Sequence, residues 1–426
     1  MSQSNIRLIA TAPHTFHGAG TIKSRILHAL HGVGFDVHFV GLGRPHFFKT
    51  HDGDSFRAHE VKIPESEAYS AHAKTFWSTY AIAEKVAELA IAGETEGFRV
   101  VFWGTYLHPY VQALCLANDY LSQAGYARNP IVSFPAGSDI WESGSSVARS
   151  VRWLLDSQQI SVRATYSKKF VREIRWRYGV RGGFEVLPPL LDRSDFPGYS
   201  QSQRQDAKLK AGIQPGTMVV LHHSNLRPVK RVQDTIELVK RAAAVCNSEV
   251  LLVIVGPNDI HAKPVDHCQY ELFQRAFPAS RGRNLTIVNV GIEADVRRYL
   301  RIADIAVNTS VHDSFNVSLL EAAWSGAACV TSPAPAIASY FKAGKCAQLL
   351  SYVPGARFLD VASQIDRRES PFDLARGAIA LAELLDNNSA RESLAMSADA
   401  YLTKHLNSEL ILQRVISMIG SADQAR

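Results

Sequence analysis

Short apolar runs alternate with segments of helical periodicity along almost the whole chain. In the first half, the runs that predict β-strands are residues 6–10, 36–40, 100–103, 131–134, 160–166 and 184–187. Helical segments lie between several of these strands. In residues 168–178, for example, Val171, Ile174 and Tyr178 recur at the spacing of one helix face.

The alternation stops at residues 195–216, which are rich in Gln, Ser, Gly and Pro and carry no apolar period over most of their length. This composition is typical of a linker between domains. The alternation then restarts, with predicted strands at residues 218–222, 250–255, 285–290, 304–308, 328–331 and 347–350. Helical faces intervene, such as Val232, Ile236, Val239 and Ala243, and the end of the chain reads as helical without further strands.

Strands and helices that alternate in this way indicate an α/β protein with two Rossmann-like, doubly wound parallel sheets that face a cleft. We expect an N-terminal domain at residues 1–198, a linker at 199–216 and a C-terminal domain at 217–405. Residues 406–426 are expected to form a C-terminal helix that crosses back to the N-terminal domain.

Composition narrows the class of ligand. The chain has 426 residues, of which 46% are hydrophobic and 20% charged, as in an ordinary globular protein. Its formal net charge of +6 favours a small anionic ligand, and no dense block of Lys and Arg with interleaved aromatic residues points to nucleic acid. The five cysteines are scattered without a C-x-x-C pair, which favours a reducing compartment. We therefore expect a soluble, cytoplasmic protein.

Three segments carry candidate chemistry, and the first follows the first predicted strand. Residues 13–20 contain Gly18 and Gly20 and precede a helix. Glycines at the start of a helix let backbone N–H groups approach an anion. The alternative is a flexible turn between strand and helix.

The second segment, residues 224–231, follows the first strand of the C-terminal domain. It places Arg227, Lys230 and Arg231 together at the carboxyl end of that strand. A guanidinium beside an ammonium group suits a diphosphate. The alternative is a solvated basic turn.

The third segment, residues 312–326, is the strongest of the three. A helix is predicted to begin near Asn316 and to bury Val317, Leu320 and Trp324, which leaves Glu321 at the edge of the buried face. Asp313 precedes the helix, where backbone N–H groups would face an anion. The pair of carboxylates suits a sugar nucleotide. The alternative is a helix cap at Asp313 and a surface residue at Glu321.

Two weaker motifs have simpler interpretations. Asp52-Gly53-Asp54 resembles a metal-binding D-x-D, yet Asp-Gly is also an ordinary turn dipeptide. The basic helix at residues 168–178 suits weak contact with a membrane surface or simple solvation. The histidines show no metal-ligand spacing, so no metal is expected.

The third segment, from Asp313 to Glu321, resembles the E-x7-E signature of the family 4 retaining glycosyltransferases, which have the GT-B fold. The surrounding residues 290–304 and 319–332 are also similar to that family. Residues 224–234 resemble the N-acetylglucosaminyl L-malate synthases of bacillithiol biosynthesis within it. The resemblance covers nearly the whole chain and is more specific in the second half.

The resemblance implies roles for individual residues. Arg227 and Lys230 would hold the donor diphosphate, Glu321 the ribose, and Asp313 the transferred sugar, with Arg227, Lys230 and Asp313 as the catalytic set. The remaining implied donor-binding residues are Gly18, Gly20, Asn225, Gly291, Ser314, Phe315, Asn316 and Val317. The implied acceptor-binding residues are Tyr106, His108, Ser133, Ala136 and Ser138.

The chain departs from the family pattern at Ala136, where the family has a His, at Pro189, where related enzymes have an Asn, and at Asp313, which replaces a Glu. These changes surround the sugar and the acceptor, which indicates a donor sugar or acceptor other than N-acetylglucosamine and malate.

We expect metal-independent, retaining transfer of a sugar from a UDP-sugar to a small-molecule or glycan acceptor, without a cofactor. A homo-oligomer is one of the assembly states that the sequence leaves open. A sugar-nucleotide epimerase and a non-catalytic nucleotide-sugar-binding protein are the alternatives.

Overall fold

The computed structural model describes residues 5–12, 19–42, 56–61, 76–135, 140, 145–256, 284–291, 293, 295–354 and 369–424. The chain divides into two compact units. The first consists of Met1–Leu191 together with Ser408–Arg426, and the second of Asp192–Asn407.

The first unit is built on a parallel sheet, whose described strands run in the order β3-β2-β1-β4-β5-β6-β7. These strands are β1 (Ile6–Thr11), β2 (Asp36–Leu42), β3 (Arg57–Val61), β4 (Arg99–Thr105), β5 (Ile131–Phe134), β6 (Ile160–Thr165) and β7 (Glu185–Val186). Its helices are α1 (Ala19–Gly32), α2 (Phe76–Thr95), α3 (Gln112–Gln123), α4 (Ser145–Asp156) and α5 (Lys168–Tyr178), together with the last helix of the chain, Ser408–Gln424.

Every residue of β1 is buried, as expected for a parallel strand that is covered on both faces. Strand β3 was not predicted, because its residues, RAHEV, are mostly polar and only Val61 is buried. It lies at the edge of the sheet, where such residues are tolerated.

The second unit holds a second parallel sheet, in the order β10-β9-β8-β11-β12-β13. Its strands are β8 (Met218–His223), β9 (Val250–Val255), β10 (Leu285–Gly291), β11 (Ile305–Asn308), β12 (Ala328–Thr331) and β13 (Gln348–Leu349). Its helices are α6 (Gln201–Lys210), α7 (Val232–Ala243), α8 (Arg297–Ile302), α9 (Val317–Trp324), α10 (Ile337–Gly344), α11 (Leu374–Asp386) and α12 (Asn388–His405), which makes Ser408–Gln424 α13.

The segment expected to be a linker, residues 199–216, instead contains α6 and belongs to the second unit. Ser200 and Gln203 form a capping box at the start of α6. The buried face of α6 consists of Arg204 and Lys208 rather than apolar residues. Arg204 donates to backbone carbonyls at the ends of α8 and α9, and Lys208 forms an ion pair with Asp304. Hydrophobic periodicity cannot reveal such a helix.

The order of strands creates a topological switch point in the second unit. Strand β8 lies between β9 and β11, so the chain leaves β8 and β11 in opposite directions. Ligands of doubly wound sheets bind beyond the carboxyl ends of the strands at such a point. In the first unit, β1 and β4 occupy the corresponding positions. Within the described ranges, no helix is both long enough and apolar enough to cross a membrane.

Candidate functional site

Two loops leave the switch point of the second unit. The β8 loop consists of residues 224–231 and the β11 loop of residues 309–316. The N–H of Val311 donates to the carbonyl of Val229 at 2.9 Å and ties the loops together. The loops bring Lys230 to Asp313, and the ammonium group donates a hydrogen bond to Oδ2 of the carboxylate. Two residues that are 83 positions apart, both selected from the sequence, therefore meet at one point.

Asp313 also shapes the start of α9. Its Oδ1 accepts from the N–H groups of Phe315, at 3.3 Å, and Asn316, at 3.0 Å. The residue that caps α9 is Asn316, whose side chain accepts from the N–H of Leu319 at 3.2 Å. One carboxylate oxygen of Asp313 thus orders the loop, while the other holds the ammonium group of Lys230.

The residues around the start of α9 differ in burial from the prediction. Phe315 is buried, with its ring 5.8 Å from that of Tyr340. Leu320 and Trp324 are buried as predicted, but Val317 is only half-buried. Because the side chain of Phe315 points into the core, the backbone is what this residue can offer to a ligand.

Glu321 lies at the partly covered edge of α9, with 14% of its side chain exposed. Its Oε2 lies 3.7 Å from Nδ1 of His223, the last residue of β8. The position of Glu321 agrees with the sequence-based expectation of an edge residue. His223 was missed, because the sequence gives no signal that the end of β8 meets the middle of α9.

The basic cluster of the β8 loop divides into two roles. Arg227 and Lys230 are half-buried in the loop, whereas Arg231 is almost completely buried. Nε of Arg231 donates to Asp234 at 2.6 Å, and Nη2 donates to the carbonyl of Glu369 at 3.0 Å. Arg231 is therefore a structural residue, and the expectation that it joins the other two cations is wrong.

Two glycines lie at the ends of β9 and β10, and the first of them lets the end of β9 approach the start of the β8 loop closely. Gly256 follows β9 with φ +148°, and a Cβ there would lie 1.7 Å from the carbonyl oxygen of Ser224. The N–H of Gly256 donates to the carbonyl of Gly291 at 2.8 Å. Gly291 has φ +76°, in the left-handed region. Asn225 accepts the N–H of Arg227 through its carbonyl at 2.8 Å. Gly291 and Asn225 were predicted, and Gly256 was missed.

In the first unit, the residues expected to bind the acceptor have different surroundings. Tyr106 follows β4 with φ 68°, a strained conformation for a non-glycine residue, and His108 Nδ1 lies 2.5 Å from Oε1 of Gln112. Ser133 differs from the expectation of a ligand contact, because it lies inside β5 between β4 and β6, with its side chain buried. Gly20 lies in the first turn of α1.

Several predicted positions lie outside the described residues, namely Gly18, Ala136, Ser138 and the Asp52–Asp54 motif. Among the residues that are described, no three His, Cys, Asp or Glu side chains are grouped so as to hold a metal ion.

Comparison with known proteins agrees with this geometry. Residues 217–366, which include both loops, match the family described as Glycosyl transferases group 1. The chain is 23% identical over 317 residues to N-acetyl-alpha-D-glucosaminyl L-malate synthase of Bacillus anthracis, a match that covers 74% of this chain and 75% of the relative.

Solved structures resemble the whole chain. Anabaena HepE, solved in complex with UDP and glucose, has a TM-score of 0.70 at 15% identity, covering 97% of this chain and 99% of that one. Sucrose-phosphate synthase from Thermosynechococcus elongatus has a TM-score of 0.68 at 13% identity, covering 99% of this chain and all of that one, 100%. At these identities the likeness establishes the fold, and the expected two-sheet architecture is confirmed. Residues 217–366 form a group 1 glycosyltransferase domain, and the chain is a glycosyltransferase of the GT-B fold.

Proposed function

We propose that the chain transfers a sugar from a UDP-sugar to a small-molecule or glycan acceptor, with retention at the anomeric carbon and without a metal ion, as in the retaining family 4 enzymes that it resembles. The observation that carries the proposal is the meeting of Lys230 and Asp313 at the switch point of the second unit. The UDP and glucose bound to Anabaena HepE support the choice of donor class.

Binding of the donor would break the ion pair between Lys230 and Asp313 and give each side chain a new partner. The diphosphate would accept hydrogen bonds from Lys230 and Arg227, and Asp313, relieved of Lys230, would accept hydrogen bonds from sugar hydroxyls. The N–H groups at the start of α9 add positive potential. Glu321 would accept hydrogen bonds from the ribose hydroxyls at the edge of α9.

The chemical step would depend on stabilising the leaving group. The bond between the anomeric carbon and the diphosphate oxygen breaks as the bond to the acceptor oxygen forms on the same face of the sugar. The departing phosphate takes the acceptor proton, so no separate base is required. Lys230 and Arg227 stabilise the charge that develops on the diphosphate.

The first experiment measures UDP binding and the release of UDP from a panel of UDP-sugars with mixed acceptors. Arg227→Ala should lower turnover by about a hundredfold or more, because each preorganised contact to a developing charge contributes about 3 kcal/mol. The matched control is Arg241→Ala, which removes a guanidinium that pairs with Glu237 on the exposed side of α7. Equal turnover of the two variants would contradict the proposal.

Two further measurements address stereochemistry and metal. Product anomers are read by NMR, and retention is expected. Turnover should survive a chelator and should not rise when magnesium is restored. A change of configuration within the UDP-sugar itself, without an acceptor, would favour an epimerase, and UDP binding without any turnover would favour a nucleotide-sugar-binding protein.

A further inference from the structure

A buried chain of hydrogen bonds runs beneath both loops of the second unit. His222 Nε2 lies 2.8 Å from Ser224 Oγ, and His222 Nδ1 lies 3.0 Å from Thr235 Oγ1. Thr235 Oγ1 lies 2.8 Å from Thr309 Oγ1, which donates to the carbonyl of Arg231 at 2.7 Å. We call these four side chains, Ser224, His222, Thr235 and Thr309, the hydroxyl relay.

Counting protons assigns the direction of each bond. The only hydroxyl proton of Thr309 is donated to the carbonyl of Arg231, so Thr309 must accept a hydrogen bond from Thr235. Thr235 then has no proton left and must accept from Nδ1 of His222. His222 therefore carries a proton on Nδ1, and in the neutral ring Nε2 accepts from the hydroxyl of Ser224.

The surroundings of His222 agree with the neutral form. Its side chain is fully buried in β8. Burial, followed by the charges of His223 and Lys230, lowers the pKa of His222 to about 3, against a smaller opposing effect of a hydrogen bond to the backbone of Val307. An imidazolium would also need an acceptor at Nε2, which the relay does not supply without reversing the hydroxyl of Ser224.

The ends of the relay are the places where the loops begin. Ser224 is the first residue of the β8 loop, and Thr309 is the first residue of the β11 loop. The carbonyl at the far end belongs to Arg231, which is held at φ 48° and directly follows Lys230. A non-glycine residue in this conformation needs its surroundings to hold it in place.

We propose that His222 is a positioning residue that acts through Thr235 and Thr309 to hold Lys230 and the β11 loop in the geometry that binds the donor diphosphate. This inference rests on the proposed function of the same site. It differs from a general stabilising role, because the relay ends at the first residue of each loop.

The test compares three variants with UDP as the probe. Thr235→Val removes the relay hydroxyl with little change in volume, and Thr235→Ser keeps it. The control, Thr331→Val, removes a buried hydroxyl of β12 that donates to the carbonyl of Ser332 at 3.2 Å and has no bond to a member of the relay. Thr235→Val should weaken UDP binding by about tenfold, while Thr235→Ser and Thr331→Val stay within about twofold.

Equal weakening by Thr235→Val and Thr331→Val, or unchanged binding in Thr235→Val, would overturn the positioning role. Melting temperatures are recorded for all three proteins, because a purely structural role predicts lower stability with intact affinity. If Thr235→Val does not fold, Thr309→Ser and Thr309→Val provide the same comparison at the next position of the relay.

The tautomer is measured independently of any ligand. In protein labelled with ¹⁵N-histidine, the signal that disappears in His222→Gln should report a neutral ring protonated at Nδ1 at neutral pH. A ring protonated at Nε2, or an imidazolium, would overturn the inference whatever UDP does. If the wild-type protein shows the expected tautomer but does not bind UDP, the proposed function fails, while the assignment of protons stands.

Discussion

Replacing Gly256 with Ala tests whether the close approach of the strand ends is what forms the site. The new Cβ would lie 1.7 Å from the carbonyl oxygen of Ser224 and 2.7 Å from its carbonyl carbon. Both atoms belong to the backbone, so no flexible side chain can swing aside. The start of the β8 loop must move, or β9 must end differently.

The size of the displacement follows from the contact distance. Ordinary contacts of a Cβ begin at 3.4 Å, so the Ser224 carbonyl has to shift by about 1.7 Å to be accommodated. A misplacement of about 1 Å can cost a factor of about a hundred in turnover. The backbone angle, φ +148°, adds about 1–3 kcal/mol of strain for any residue other than glycine. We expect turnover to fall by at least about a hundredfold.

The assay combines thermal unfolding with UDP binding and UDP-sugar turnover. Gly212→Ala is the matched control, because Gly212 also has a positive φ, +72°, but a Cβ there meets no atom within 4 Å. The control should lose about 1–2 kcal/mol of stability and keep its affinity for UDP. Wild-type affinity and turnover in Gly256→Ala, with a melting temperature equal to that of Gly212→Ala, would refute the reasoning.

Three other predictions follow from the second unit. Arg231→Met should destabilise it by about 3–5 kcal/mol in urea unfolding, because Asp234 is left buried without its ion pair, and a change below 1 kcal/mol would contradict this role. Glu321→Gln should weaken UDP binding by about tenfold but leave pyrophosphate binding unchanged, and calorimetry that shows equal losses would place Glu321 elsewhere. The pKa of His222, about 3 in the fold against 6.5 unfolded, means that the unfolded chain gains a proton first as pH falls. Between pH 6.5 and about 3, stability should therefore decrease by about 1.4 kcal/mol per pH unit, and His222→Gln should reduce this slope in urea unfolding.

The fold could be predicted where burial follows hydrophobic pattern, and not elsewhere. Strands such as Val250–Val255 and Ala328–Thr331 are apolar runs with buried interiors, and the structure has them at the predicted bounds. The helix Gln201–Lys210 escaped prediction for the opposite reason. Its buried face is made of Arg204 and Lys208, whose charges are satisfied by carbonyls and Asp304 from distant segments. Only the folded unit shows that these partners exist.

The same division applies to the candidate site. Lys230 and Asp313 could be selected because the loop after a buried strand in an alternating pattern lies at the carboxyl edge of a sheet. Arg231 was grouped with them. A sequence cannot show that Arg231 has a left-handed backbone conformation, or that its guanidinium pairs with Asp234. His222 and Gly256 carry no recognisable motif, because their importance arises from atoms that approach across strands, namely the Thr235 hydroxyl and the Ser224 carbonyl. The residues that the proposed function places against the ligand can thus be selected from sequence at a switch point, whereas the residues that hold them in place are found only from distances.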